Sequence, residues 1–215
     1  MEFKRARTSI QFKMRANQII DACEIIFEQE GYENVNFSKI SAISGITRPL
    51  IYKYFSSNEE MLLEVLKKKI SNFVSSINQS FNNCNELTTN QFAEKWTKCL
   101  FEDPYMLQLY NLQRSVLEKK VDLDKIVAFK EFTQQSESSV IDAISSYFPK
   151  SNNEQLNSFF IMTIAIVSGL SPMIFQSNAQ KYASSQLNDN YQGIYTDFFI
   201  RTIMPIIKSL ENGTL

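Results

Sequence analysis

The chain has 215 residues, 44% hydrophobic and 21% charged, a globular balance with ample length to bury a core. Only 5 Gly and 5 Pro leave little material for a turn-rich β fold, so an all-α architecture is expected. The net charge of −1 does not by itself point to a nucleic-acid partner, and the lack of any histidine removes histidine triads, histidine general bases and the commonest zinc ligands. No Walker loop, Gly-x-Ser-x-Gly elbow or carboxylate cluster stands out, so no catalytic residue, cofactor or metal is expected. Residues 1–55 carry 8 Lys or Arg against 6 Asp or Glu, whereas 56–215 carry 14 against 17, so the basic excess is N-terminal.

Within residues 1–15 there are 5 basic side chains and 1 acidic, which fits either an arm lying near phosphates or a solubilising tail. The first helix is predicted over Ser9–Glu30, with Ile19, Ile20, Cys23, Ile26 and Phe27 as its buried stripe and Gly31 as its stop. Two short periodic segments follow. Phe37, Ile40, Ser41 and Ser44 fall at i, i+3, i+4 and i+7, and Leu50 or Ile51 repeats that spacing with Tyr54 and Phe55. Asn36 and Thr47 stand where N-caps belong, Gly45 suits the left-handed turn that ends the first segment, and Pro49 falls in the first turn of the second. This is the grammar of two helices joined by a tight turn. Lys39, Arg48 and Lys53 make its surface basic, and no acid lies between Glu33 and Glu59. Cations in the first turn of a helix oppose the macrodipole, so their placement points to a phosphate partner and not to stability. The spacing by itself also fits a solvated basic helix pair in another helical core.

A long helix is predicted over residues 59–82, leaving the N-terminal domain. Its Lys67-Lys68-Lys69 run is read as a solvated face, with DNA contact the alternative. Further helices are predicted at 89–102, 104–119, 122–147 and 153–170, then a polar segment over 177–190 and a last helix at 191–210 that Pro205 should kink. The apolar run Phe159–Phe175 falls short of the ~20 residues a bilayer needs. A helix buried on all sides within a bundle is expected there, with no membrane partner. Cys23, Cys84 and Cys99 are odd in number and form no Cys-x-x-Cys pair; they are read as reduced, mostly buried thiols of a cytoplasmic protein.

Gly31-Tyr32, Asn36, Ile40, Gly45-Ile46-Thr47-Arg48-Pro49, Ile51-Tyr52-Lys53-Tyr54-Phe55 and Glu59-Glu60-Met61-Leu62 together resemble, without a gap, the DNA-binding signature of the tetracycline-repressor (TetR) family of bacterial regulators. Three positions depart from the family pattern. Pro49 replaces a glycine, Asn36 replaces a threonine or serine, and Asn58 stands where the family commonly places a phosphate-contacting lysine. Asn58 is expected to cap the next helix or to donate a neutral hydrogen bond instead. The resemblance implies a three-helix helix-turn-helix domain over 1–57 and a bundle of about six helices over 58–215 that binds ligand and dimerises, about nine helices in all. It implies that Thr47, Arg48, Pro49, Leu50, Tyr52, Lys53 and Tyr54 meet DNA, with Asn36, Lys39 and Asn58 on the flanking backbone. It also implies a homodimer through the last two long helices, a near-palindromic duplex operator, and release by a small effector, most often from repression.

An effector pocket is expected among helices 89–170. Trp96, Phe101, Tyr105, Tyr110, Phe129, Phe132, Phe160 and Met162 would give it an apolar or aromatic lining, with Arg114 orienting a polar group. Aromatics at helical spacing are equally the signature of plain core, and Arg114 with Glu118 fits a surface ion pair. Two other classes stay open on the residues alone: an all-α enzyme and a helical protein-interaction module.

Overall fold

The computed structural model describes residues 9–82, 87–175, 178–186 and 192–215. The chain is all-α, an N-terminal helix-turn-helix domain followed by a helical C-terminal domain. Among the described residues there are ten α-helices: α1 (Ser9–Glu30), α2 (Phe37–Ser44), α3 (Arg48–Ile51), α4 (Asn58–Phe81), α5 (Thr89–Phe101), α6 (Pro104–Leu112), α7 (Leu123–Ser145), α8 (Asn153–Ile174), α9 (Asn178–Gln186) and α10 (Gln192–Asn212). Residues up to Lys68 with Leu112–Lys130 form one compact unit, and Lys69–Asn111 with Glu131–Leu215 form a second.

In the first unit α1 packs on α2, and α2 on α3. The buried stripe of α1 is Ile19, Ala22, Cys23, Ile26 and Phe27; Ile20, expected inside, is half-exposed, and Ala22 takes the inward position. Ile40, Ile46 and Ile51 are each fully enclosed where the two short helices pack. Each such side chain contributes roughly 1.5–3 kcal/mol by burial, which offsets the marginal stability of helices this short. Burial, reinforced by the charge of Glu24, pushes the Cys23 thiol up to about 12. Cys99 is also buried, whereas Cys84 and residues 1–8 of the basic arm lie outside the described residues.

In the second unit α10 packs on α8 and α5 around an aromatic core. Trp96 lies 5.0 Å from Phe159, and Phe92 lies 4.9 Å from both Phe81 and Phe148. Paired capping boxes, Thr88 with Gln91 and Asn152 with Gln155, start α5 and α8 by satisfying two otherwise unpaired N–H groups each.

Four expectations change. The helix predicted over 104–119 breaks at Leu112 into a π turn (Gln113–Leu117) and a tighter turn (Glu118–Lys120). The widened π turn takes Arg114 and Glu118 out of register, and Glu118 pairs instead with Lys130 and Gln113. A polar helix, α9, lies in the segment read as a connection. Lys69 is not on a solvated face: it is 3% exposed and bonded to Asp103 at 3.0 Å, while Lys68 bridges Asp21 and Glu24. Finally α8 is not buried on all sides; its 22 residues leave Ile161 60%, Met162 43% and Met173 50% exposed along one face.

Candidate nucleic-acid interface

The turn between α2 and α3 is built by local bonds. Asn36, in extended conformation, accepts the Lys39 N–H at 3.0 Å and so caps α2. Gly45 takes φ 68°, the left-handed conformation that reverses the chain, and donates its N–H to the Ser41 carbonyl. Ser44 Oγ donates to the Ile40 carbonyl at 2.7 Å and accepts the Ile46 N–H at 3.2 Å, which tightens the corner. Thr47 starts α3 with its carbonyl, and its hydroxyl makes no capping bond. The α-helical stretch is shorter than the periodicity implies: it ends at Ile51, and Lys53 N–H to Leu50 and Tyr54 N–H to Ile51 carry the chain on as tighter turns. Bonds of the α type also persist, from Tyr52 N–H to Arg48 and from Phe55 N–H to Ile51, so the segment stays compact.

Ile51 and Phe55 turn inward, and the residues between and before them face solvent. Thr47, Arg48, Pro49, Tyr52 and Lys53 are exposed, with Leu50 and Tyr54 half-exposed. Arg48 and Lys53 make no ion pair among the described residues, so their charge is available to an anion. The Tyr52 ring lies 4.1 Å from that of Phe37 at 12°, and the Tyr54 ring 4.3 Å from that of Phe12 at 25°. Lys39 differs: its ammonium is bonded to Glu30 and to Asn34 Oδ1. Asn58 does not cap α4. Ser57 does, accepting the Glu60 N–H at 3.0 Å, and Asn58 Oδ1 is buried without a partner.

The first turn of α4 is braced by two acids that sequence reading left unused. Glu60 accepts the N–H and hydroxyl of Ser56 at 2.7 and 2.8 Å and pairs with Lys125 at 3.3 Å. Glu59 Oε1 accepts from the Tyr32 hydroxyl at 2.8 Å and from Lys120 at 2.9 Å. Burial alone would raise the Glu59 carboxyl, but the bonds from Lys120 and Tyr32 outweigh it and hold the group below the usual carboxylate range. No spacing announces these contacts, because they join residues 27 and 61 positions apart.

The nine residues expected at an effector pocket stand in several settings. Trp96 and Phe129 are fully buried, Phe101 packs on Phe175 and Phe199, Phe160 meets Trp96 edge-on at 6.4 Å, and Tyr105 lies under Lys69. Tyr110 and Phe132 are half-exposed, while Arg114 and Met162 are exposed. Arg114 and Phe129 belong to the first unit and the other seven to the second. A cleft of about 380 Å³ in the second unit is lined by none of them; Lys69, Phe73, Ser76, Cys99, Glu102 and Met106 are among its walls.

An exposed, acid-free cationic turn on two short braced helices defines a helix-turn-helix DNA-binding protein. Residues 19–65 match the family described as bacterial regulatory proteins, tetR family, and residues 67–199 match the tetracyclin repressor-like C-terminal domain. The chain belongs to the TetR family of DNA-binding transcriptional regulators. It is 32% identical over 66 residues to the HTH-type transcriptional activator FasR of Mycolicibacterium smegmatis, covering 31% of this chain and 30% of that one. It is 35% identical over 57 residues to the fatty acid metabolism regulator protein of Bacillus subtilis, covering 26% and 29%. The chain thus spans under a third of the length of these curated relatives. The crystal structure of a TetR-family regulator from Mesorhizobium loti superposes with a TM-score of 0.64 at 13% identity, covering 96% of this chain and 97% of that one.

Proposed function

We propose that the protein works as a homodimer that binds a near-palindromic operator through two copies of the Thr47–Tyr54 turn and leaves it when a small apolar or aromatic effector binds. The observation that carries this reading is the outward display of Arg48, Tyr52 and Lys53 on a turn with no acid between Glu33 and Glu59. Arg48 and Lys53 are assigned to phosphate or guanine, Tyr52 and Tyr54 to phosphate oxygens, and Pro49 and Leu50 to a thymine methyl. Thr47, Asn36, Lys39 and Asn58 are assigned to the backbone around the groove, with Lys39 and Asn58 the weaker two, since one is paired with Glu30 and the other has its oxygen buried. On this reading 1–57 is the reading domain, 58–215 the ligand-binding and dimerisation domain, and the work is done in the cytoplasm, where the chromosome lies.

The dimer reading is supported by apolar side chains left outside on α8 and α10, with Ile194 58% and Phe198 53% exposed on the latter. The effector reading is supported by the aromatic interior of the second unit and by the fatty acid metabolism regulator among the relatives. Repression is the family's usual sign of control, although FasR is an activator. Footprinting of the purified protein on the DNA flanking its own gene tests the proposal. A protected near-palindrome that Arg48→Ala abolishes and that medium- or long-chain acyl compounds release is the expected result. Uniform, sequence-independent retention of DNA would reject it.

A further inference from the structure

The two tyrosines of the recognition turn stand at and just beyond the end of a four-residue helix. Tyr52 is the C-cap of α3, its N–H on the Arg48 carbonyl, and Tyr54 lies in the tighter turn that follows, so one helical turn is all the local support either ring has. Each ring nevertheless lies face to face with a phenylalanine from another element. Phe37, the first residue of α2, stacks on Tyr52, and Phe12, in the first turns of α1, stacks on Tyr54. Phe12 is 50% exposed and Tyr52 52% exposed, so these contacts bury little and add little to the core. A half-exposed phenylalanine in the first turns of α1 is poorly placed for stability. It is well placed to limit the swing of the half-exposed Tyr54 ring.

We propose that Phe12 and Phe37 are positioning residues for DNA binding, clamping the rings of Tyr54 and Tyr52 so that their hydroxyls are held toward the phosphate backbone before the duplex arrives. The inference rests on the reading that these hydroxyls meet DNA. Pre-ordering removes the entropy that a free side chain loses on binding, so the benefit is seen in affinity and not in folding.

The test is a double-mutant cycle on the footprinted operator duplex, read by fluorescence anisotropy. Phe12→Ala is expected to weaken binding about three- to tenfold, the cost of ordering one side chain on association. Its thermal midpoint should stay at the wild-type value, and Phe12→Tyr, which keeps a ring in place, should recover most of the loss. Tyr54→Phe should weaken binding as well, and adding Phe12→Ala to it should change affinity less than twofold, roughly, because nothing remains to position. Phe37→Leu with Tyr52→Phe forms the parallel cycle. Additive losses, or a Phe12→Tyr as weak as Phe12→Ala, overturn the positioning role alone. A Tyr54→Phe that binds like wild type overturns the hydroxyl contact and the positioning with it, and Arg48→Ala then reports separately whether the turn reads DNA.

Discussion

Two cations on the turn have no acid to answer them among the described residues, and one nearby does. Lys53 and Arg48 are exposed, while Lys39 is bonded to Glu30 and Asn34. A lysine that neutralises a phosphate releases counterions, whereas one already paired must first give up its partner. Lys53→Ala is therefore expected to reduce the slope of log affinity against log salt by about one unit, and Lys39→Ala by clearly less. Anisotropy titrations across a salt series check this, and equal slopes for the two variants would contradict the assignment. The exposure of Arg48 and Lys53 was legible because the buried positions Ile46, Ile51 and Phe55 dictate which side chains remain outside. The quenching of Lys39 was not, because Glu30 ends one helix and Lys39 lies in the next, across Gly31 and a one-turn segment whose path no periodicity reports. The same limit hid Phe12 beneath Tyr54, two rings 42 positions apart that no local pattern connects.

Among the elements, those with an apolar stripe or a capping residue were read closely and those without were missed. Helix α1 has the predicted ends, and Asn36, Gly45 and Pro49 occupy the predicted places in the turn. Helix α9 escaped because Asn-Ala-Gln-Lys-Tyr-Ala-Ser-Ser-Gln carries no apolar stripe to announce it. The start of α4 combines a legible element with illegible support. Its Glu59 and Glu60 suit the helix macrodipole by sequence alone, but the partners Tyr32, Lys120 and Lys125 come from distant segments. Glu59 is held below its ordinary value near 4.5 in the fold, so folding favours its ionised form. Its contribution to stability is therefore complete above the ordinary carboxylate range and is lost as pH falls through the lowered folded value. Lys120 is raised, so its share is present below the ordinary lysine range and does not change in acid. Glu118 has the same sign as Glu59 through Lys130 and Gln113, although burial opposes it. The readout is accordingly the difference between proteins. In urea denaturation from about pH 7 to pH 3, wild type should lose stability more steeply than Glu59→Gln. Parallel curves would show that the carboxylate is not held by this cluster.

At the scale of the whole molecule, the distribution of apolar surface is the feature that a single chain leaves unexplained. Helix α8 buries Leu156, Phe159, Thr163, Ile164 and Val167 on one side and leaves Ile161, Met162 and Met173 outside. Helix α10 does the same, enclosing Phe199, Ile203, Ile207 and Leu210 while Ile194 and Phe198 stay exposed. Each helix thus has two apolar faces at helical spacing, and only one is used within the chain. The helical prolines follow the same division, since Pro172 and Pro205 both lie on the exposed side. A bilayer is an alternative solvent for α8, which is long and apolar enough to cross one. Against that, α8 is packed on α10 along its inner face, and the outer face of α10 carries Arg201 and Lys208 beside its apolar residues. A face of mixed composition fits a protein partner with a polar rim better than it fits hydrocarbon. Two such faces related by a two-fold axis are self-complementary, and a stable contact requires about 800 Å² from each copy. A charge at the centre of that contact would be buried twice over, once for each protomer. Ile161→Glu is therefore expected to convert the proposed dimer to a folded monomer in light scattering, with an unchanged helical circular dichroism spectrum because the replaced side chain is 60% exposed in the single chain. Operator affinity should fall by orders of magnitude together with the dimer, because two linked heads bind by effective concentration and one does not. A variant that remains dimeric would place the two-fold contact elsewhere, and one that is monomeric yet still binds the full operator at wild-type strength would remove the need for the second head.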